Sequence, residues 1–192
     1  MAAVAHGGHS GSFWKDPLMK VRWTQRNPRW TWLVAVAVLL FVDQLSKSYF
    51  SSTLALGEAI KVTEWFNFVH VLNTGAAFSL LADAGGWQRW FFIGVTALVV
   101  GVVSVVCLAR QAEPLDRWVG AFVVGGGGGN LVDRIQIGAV VDFLDLHWRS
   151  IHWPAFNLAD VFIVCSMLVW CFASLKWSPR QSPRKAPEEQ PS

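Results

Sequence analysis

The chain has 192 residues, 53% of them apolar and 15% charged, with a mean hydropathy of +0.37. That composition excludes a disordered protein and argues against an ordinary soluble domain. The net charge of +3 does not point to a nucleic-acid partner, because the basic residues crowd the two ends, as in the flanks of a membrane protein.

Residues 1–29 form a basic leader carrying Lys15, Lys20, Arg22, Arg26 and Arg29, expected to be partly disordered. The apolar tract that follows, 30–50, would reach about 31 Å as a helix, close to the hydrocarbon thickness of a bilayer. It is long and no small-x-small site follows, so it reads as a retained anchor. The connection 51–89 is too long for a turn, and its alternating β-branched and aromatic residues predict two or three strands at about 58–80 on the outer membrane surface. A second span is expected at 90–109, a third at 118–135 and a fourth at 159–177. The third contains five consecutive glycines, unfavourable for a helix in water but suited to close helix packing in a membrane. The tail 178–192 is polar, Pro-rich and expected to be disordered.

Four spans put both termini on one side. Arg110 and Arg117 in the short second connection, with Arg180, Arg184 and Lys185 in the tail, make that side cytoplasmic by the positive-inside rule. Tryptophans near the span ends, among them Trp30, Trp32, Trp90, Trp118 and Trp177, suit an aromatic belt. Cys107, Cys165 and Cys171 have no CxxC spacing and read as small buried hydrophobes. His70, His147 and His152 show no metal-ligand spacing, so no metal is expected.

Polar groups at membrane depth need a partner or a purpose. Asp43 and Lys47, four apart, share one helical face and could form a local ion pair. Asn73, Asn130, Asp133, Arg134, Asp142, Asn157 and Asp160 all fall near span ends or outer connections, at the same leaflet. Arg134 is a ready counter-charge for Asp133, whereas Asp142 and Asp160 sit in apolar settings with no adjacent cation. They could cap helices or pair with Arg134, Lys47 or Arg149. Alternatively, brought together, they would share one proton and act as an acid–base pair, the chemistry of an aspartic peptidase. A non-enzymatic four-span transporter or assembly factor would spread polar residues through the bilayer's depth. No GxSxG and no phosphate-binding Lys-Ser/Thr after the glycines occurs.

VDQLSK (42–47), NTGAAFSLL (73–81), GGGGGNLVDRI (125–135), VVDFLDL (140–146) and FNLADVFI (156–163) occur in the order seen in lipoprotein signal peptidase, also called type II or prolipoprotein signal peptidase. Each motif is weak alone, and five in order are specific. The chain resembles that family from about Trp30 to Trp177. The resemblance implies an all-α membrane protein of four transmembrane helices with a small β-rich cradle on the outer face. It implies a bacterial inner-membrane aspartic endopeptidase that cuts prolipoproteins before a cysteine carrying diacylglycerol. Asp142 and Asp160 match the catalytic dyad. Asn130, Asp133 and Arg134 match a motif that shapes the site, and Asp43, Lys47, Asn73 and Asn157 match positions that support the dyad and orient the peptide. Lipid-modified prolipoproteins and membrane lipid are the implied partners, with no cofactor, no metal and a monomeric chain.

Overall fold

In hydrocarbon, backbone N–H and C=O groups have no water to bond, so a long apolar tract satisfies them internally as a helix. A computed structural model describes residues 28–75, 86–109 and 112–176 and bears this out. The order is α1 (Pro28–Thr53), β1 (Ala59–Lys61), β2 (Phe66–Asn73), α2 (Trp87–Leu108), α3 (Pro114–Gln136), β3 (Val140–Trp148), β4 (Ile151–His152) and α4 (Leu158–Lys176). The leader up to residue 27, residues 76–81 of the NTGAAFSLL motif, and the tail from 177 lie outside the described residues.

Three stretches, Arg29–Thr53, Trp87–Leu108 and Leu158–Leu175, are long and apolar enough to cross a membrane. Helix α3 is not among them, and its packing explains why. It lies against α1, α2 and α4 and buries Gly120, Ala121, Val124, Gly125, Gly126, Gly127, Gly129, Asn130 and Asp133. A helix enclosed by protein needs complementary shape more than apolar side chains, and its glycines supply the close approach. Pro114 starts it at the first helical turn, where a missing N–H costs nothing.

Helix α1 has two faces. Val34, Val38, Phe41 and Leu45 are exposed on the lipid side, while Trp32, Asp43 and Lys47 are buried on the inner side. Trp32, expected in the aromatic belt, is instead 5% exposed and packs with Cys107, Ala121 and Val124. Trp30, Trp90 and Trp118 do lie at the surface. Cys107 is buried as expected, but Cys165 and Cys171 are on the outer face of α4. An apolar tract in lipid has an outward face as apolar as its core, so composition does not separate the two.

The strands form one antiparallel sheet in the order β1-β2-β3-β4. Among the described residues of the 58–80 segment, where two or three strands were expected, β1 and β2 form. β3 and β4 lie in the connection between the third and fourth expected spans, for which no strand was expected. The first four residues of β3 are all buried, so the alternation that betrays a half-exposed strand is missing there. A bulge between Phe68 and Val71 shifts the β2/β3 register and sets Val71 opposite Asp142. Phe50 of α1 stacks on Phe143 of β3 with centroids 4.5 Å apart, which fixes the sheet to the helices.

Candidate active site

Asp142 lies on β3, and Asp160 lies in the first turn of α4. The segment entering α4 folds back on β3: Phe156 N–H donates to the Leu144 carbonyl at 3.0 Å, and Leu144 N–H donates to the Phe156 carbonyl at 2.8 Å. This brings Asn157, the next residue, against Asp142, with Asn157 Nδ2 donating to Asp142 Oδ1 at 2.6 Å. Asn157 also caps α4. Its Oδ1 accepts the Asp160 N–H at 3.1 Å, and Asp160 Oδ2 accepts the Asn157 N–H at 3.2 Å. That reciprocal pair has the pattern of a capping box and satisfies two orphan donors of the helix. It also fixes the Asp160 carboxylate.

A second amide completes the link. Asn130 Nδ2 donates to Asp160 Oδ1 at 2.9 Å, and Asn130 Oδ1 lies 3.2 Å from Asn157 Nδ2. Asp142 and Asp160 are thus connected through Asn157 and Asn130, which explains why no cation adjacent in sequence is required. On its other oxygen, Asp142 accepts from Asn73 Nδ2 at 3.0 Å. The bulged register makes Asn73 a diagonal neighbour of Asp142 across the β2/β3 pair. Asn73 Oδ1 in turn accepts the N–H of Gly75, whose φ of +90° suits only a residue without Cβ.

Lys47 is 2% exposed and spends all three ammonium hydrogens. They reach Asn130 Oδ1 at 2.8 Å, Asp43 Oδ2 at 2.8 Å and Asp133 Oδ2 at 3.0 Å. The expected Asp43–Lys47 pair is therefore present, but Asp133 takes its counter-charge from Lys47. Arg134 instead donates to the Asn130 carbonyl at 3.3 Å and sits 5.5 Å from the Phe92 ring, and its buried Nε has no hydrogen-bond partner among the described residues. Among the described residues neither Asp142 nor Asp160 makes an ion pair with Arg134, Lys47 or Arg149.

Asp43 and Asp133 share one geometric role. Asp43 Oδ1 accepts the N–H of Ala159 at 3.0 Å, and Asp133 Oδ2 accepts the N–H of Val141 at 3.1 Å. Ala159 precedes Asp160 and Val141 precedes Asp142, so each supporting carboxylate pins the backbone just before one of the two paired aspartates. Gln44, within the VDQLSK motif but not singled out by sequence reasoning, donates to Asp133 Oδ1 at 2.8 Å. A polar side chain next to Asp43 in an apolar tract was the signal. Arg89 had no such signal; it donates to the carbonyls of Arg134 at 3.0 Å and Ile135 at 2.6 Å, closing the C-terminal end of α3.

Two glycines make these contacts possible. A Cβ on Gly126 would stand 2.5 Å from the Ala159 carbonyl oxygen, and one on Gly129 would overlap the Asp43 carboxylate. The glycine run therefore packs α3 directly against α4 and the inner face of α1.

Asp142 is 1% exposed, and burial pushes its carboxyl up to about 7. The charge of Asp160 acts in the same direction, while the amides of Asn73 and Asn157 and the charge of Lys47 oppose it. Two linked carboxyl groups, one of them holding a proton near neutral pH, can act as base and acid on one substrate bond.

A model of the family described as signal peptidase (SPase) II matches residues 35–176. The chain belongs to the signal peptidase II family. It is an aspartic peptidase and a multi-pass membrane protein of bacterial type. Relatives named lipoprotein signal peptidase include that of Shewanella amazonensis, 44% identical over 83% of this chain and 95% of its own length. That of Shewanella piezotolerans is 48% identical over 74% of this chain and 83% of its own. That of Serratia marcescens is 44% identical over 74% and 84%. Among solved structures, a bacterial membrane enzyme determined by the in meso method is similar in fold, with a TM-score of 0.68 at 23% identity over 81% of this chain and 94% of that one. The family match includes every residue of the network around Asp142 and Asp160.

Proposed function

We propose that this signal peptidase II removes signal peptides from diacylglyceryl-modified prolipoproteins, cutting before the lipidated cysteine with Asp142 and Asp160 as its catalytic dyad. The observation that carries the reading is the linkage of these two carboxylates through Asn157 and Asn130, with Asp43 and Asp133 pinning the backbone before each. Helix α3 serves as the fourth span, both termini are cytoplasmic, and the sheet lies on the outer face of the bacterial inner membrane. The peptidase acts as a monomer.

The dyad enters the cycle with one proton, and burial favours Asp142 as its holder. Asp160 takes a proton from water as that water adds to the scissile carbonyl. Asp142 gives its proton to the carbonyl oxygen. The tetrahedral adduct then collapses, the C–N bond breaks, and Asp160 returns its proton to the leaving amine while Asp142 recovers its own. Asn73 and Asn157 hold the Asp142 carboxyl in the plane this exchange needs. The half-buried guanidinium of Arg134, whose Nε has no partner among the described residues, is suited to a peptide carbonyl. Acyl chains on the substrate cysteine, at about 0.8 kcal/mol per buried methylene, would hold the scissile bond at the depth of the dyad.

The test is cleavage of one prolipoprotein with and without its diacylglyceryl group by the detergent-purified enzyme, with the product's new N-terminus read by mass spectrometry. Cleavage of the lipidated form alone, with cysteine as the new N-terminus, is expected. Equal cleavage of both forms, or a cut elsewhere, would overturn the substrate assignment.

A further inference from the structure

Beyond Asp142, strand β3 turns a second constellation to its opposite face. Residues 143, 145 and 147 alternate away from Asp142, and strand pairing sets His147 directly opposite His152 of β4 and Asp145 opposite Asn67 of β2. Neither histidine has ligand spacing in the sequence; the β3–β4 hairpin brings them together.

We propose that Asp145, His147 and His152 bind one divalent transition-metal ion, with Zn2+ the best match to an N,N,O donor set. One ligand atom from each residue lies within 4.8 Å of the other two. From one oxygen, Asp145 Oδ2, His152 Nδ1 is 3.0 Å away and His147 Nδ1 is 3.7 Å away. Ligands at about 2.0 Å in a tetrahedron around zinc stand about 3.3 Å apart, so these spacings bracket the required value. The fourth position opens to solvent on the side of His152, whose side chain is 54% exposed.

The charge balance asks for a cation. The Asp145 side chain is 9% exposed, and among the described residues it forms no ion pair with a lysine or arginine. The ring centroids of His147 and His152 lie 4.9 Å apart beside the carboxylate, and a divalent ion held by one nitrogen of each would compensate the Asp145 charge. Asn67 Nδ2 donates to Asp145 Oδ2 at 2.8 Å and so orients the carboxylate; its second contact, 3.3 Å to His147 Nδ1, is the one an ion at that nitrogen would displace. The ion would tie β4 to β3 on the face of β3 opposite Asp142, and the inference does not rest on the proteolytic reading.

The experiment is titration of the full chain, stripped with chelator in detergent, with Zn2+ by calorimetry and with Co2+ by visible absorption. The histidines of the leader, His6 and His9, are removed in a parallel variant. One ion per chain is expected, with the intense visible bands of tetrahedral Co2+. Affinity should fall at least tenfold in His152→Ala and Asp145→Asn and change less than twofold in the His6→Ala/His9→Ala variant. His152 is largely exposed on a two-residue strand, so its substitution leaves the fold in place. No saturable binding, unchanged affinity in His152→Ala, loss in the leader variant, or thiolate-to-Co2+ absorption from a cysteine would each overturn the assignment.

Discussion

Replacing Lys47 by Met keeps the stem of the side chain and removes the one cation that two buried carboxylates share. With an effective dielectric of about 20, contacts at 2.8 and 3.0 Å each carry about 6 kcal/mol of attraction before desolvation is subtracted. Deleting the cation and leaving both carboxylates buried costs about 3–5 kcal/mol net. For a chain of this size, about 2–4 °C per kcal/mol makes the expected fall in apparent Tm about 6–20 °C. The double variant Lys47→Met/Asp43→Asn should recover part of that loss, because one orphaned charge is gone and the amide oxygen can still accept the Ala159 N–H. Tryptophan-fluorescence melts of wild type, both single variants and the double variant in one detergent measure the cycle. A Lys47→Met variant that melts with wild type, or a double variant whose loss equals the sum of the single losses, would refute the shared-cation account.

Three further outcomes follow from the same network. Asp142 has an ordinary value of 3.8 and a folded value of about 7, so its protonated form stabilises the fold, fully below about 3.8 and progressively less as pH rises through about 7. Asp142→Asn mimics that neutral form, and its Tm advantage over wild type should grow between about pH 5 and about pH 8, towards an upper limit of about 4 kcal/mol; an advantage that shrinks with pH would contradict the burial of a neutral carboxyl. Asn157→Ala should cost about 1 kcal/mol of cap energy, a few degrees in Tm, yet lower kcat more than tenfold, because Asp142 loses its 2.6 Å donor; a kcat within twofold of wild type would separate the cap from the chemistry. Gly126→Ala should cost about 1–3 kcal/mol by pressing on the Ala159 carbonyl. Gly128→Ala, whose Cβ would meet only the flexible end of Leu40 at 3.2 Å, should cost less, and equal melting of the two variants would contradict the packing argument.

Much of this was legible in the sequence because lipid makes apolar length informative. Helices α1, α2 and α4 fall within a few residues of their expected bounds, and helix α3 extends four residues earlier, to Pro114. The polar residues expected at one leaflet do converge on one another, since α1 and α3 deliver theirs near their C-terminal ends and Asn157 and Asp160 stand at the start of α4. What the sequence hid depends on pairing across distance. The first half of strand β3 is buried on both faces and gives no alternation. Asp133 lies next to Arg134 in sequence yet pairs with Lys47, 86 positions away, because successive residues on a helix point in different directions. The histidines of β3 and β4 meet only through hairpin register. Asp160 sits in a helix-capping exchange with Asn157 and, through Asn130 and Asn157, is also linked to Asp142.

The central claim is that Asp142 and Asp160 carry the chemistry while Asp43, Lys47 and Asp133 hold them in place. Its most direct test is the single-turnover cleavage rate of a diacylglyceryl-modified prolipoprotein by wild type, Asp142→Asn and Asp160→Asn, each with its melting curve. The account predicts that both variants fold with melting temperatures near or above that of wild type and lose cleavage altogether. A well-folded variant of either aspartate that still cuts the substrate would contradict it.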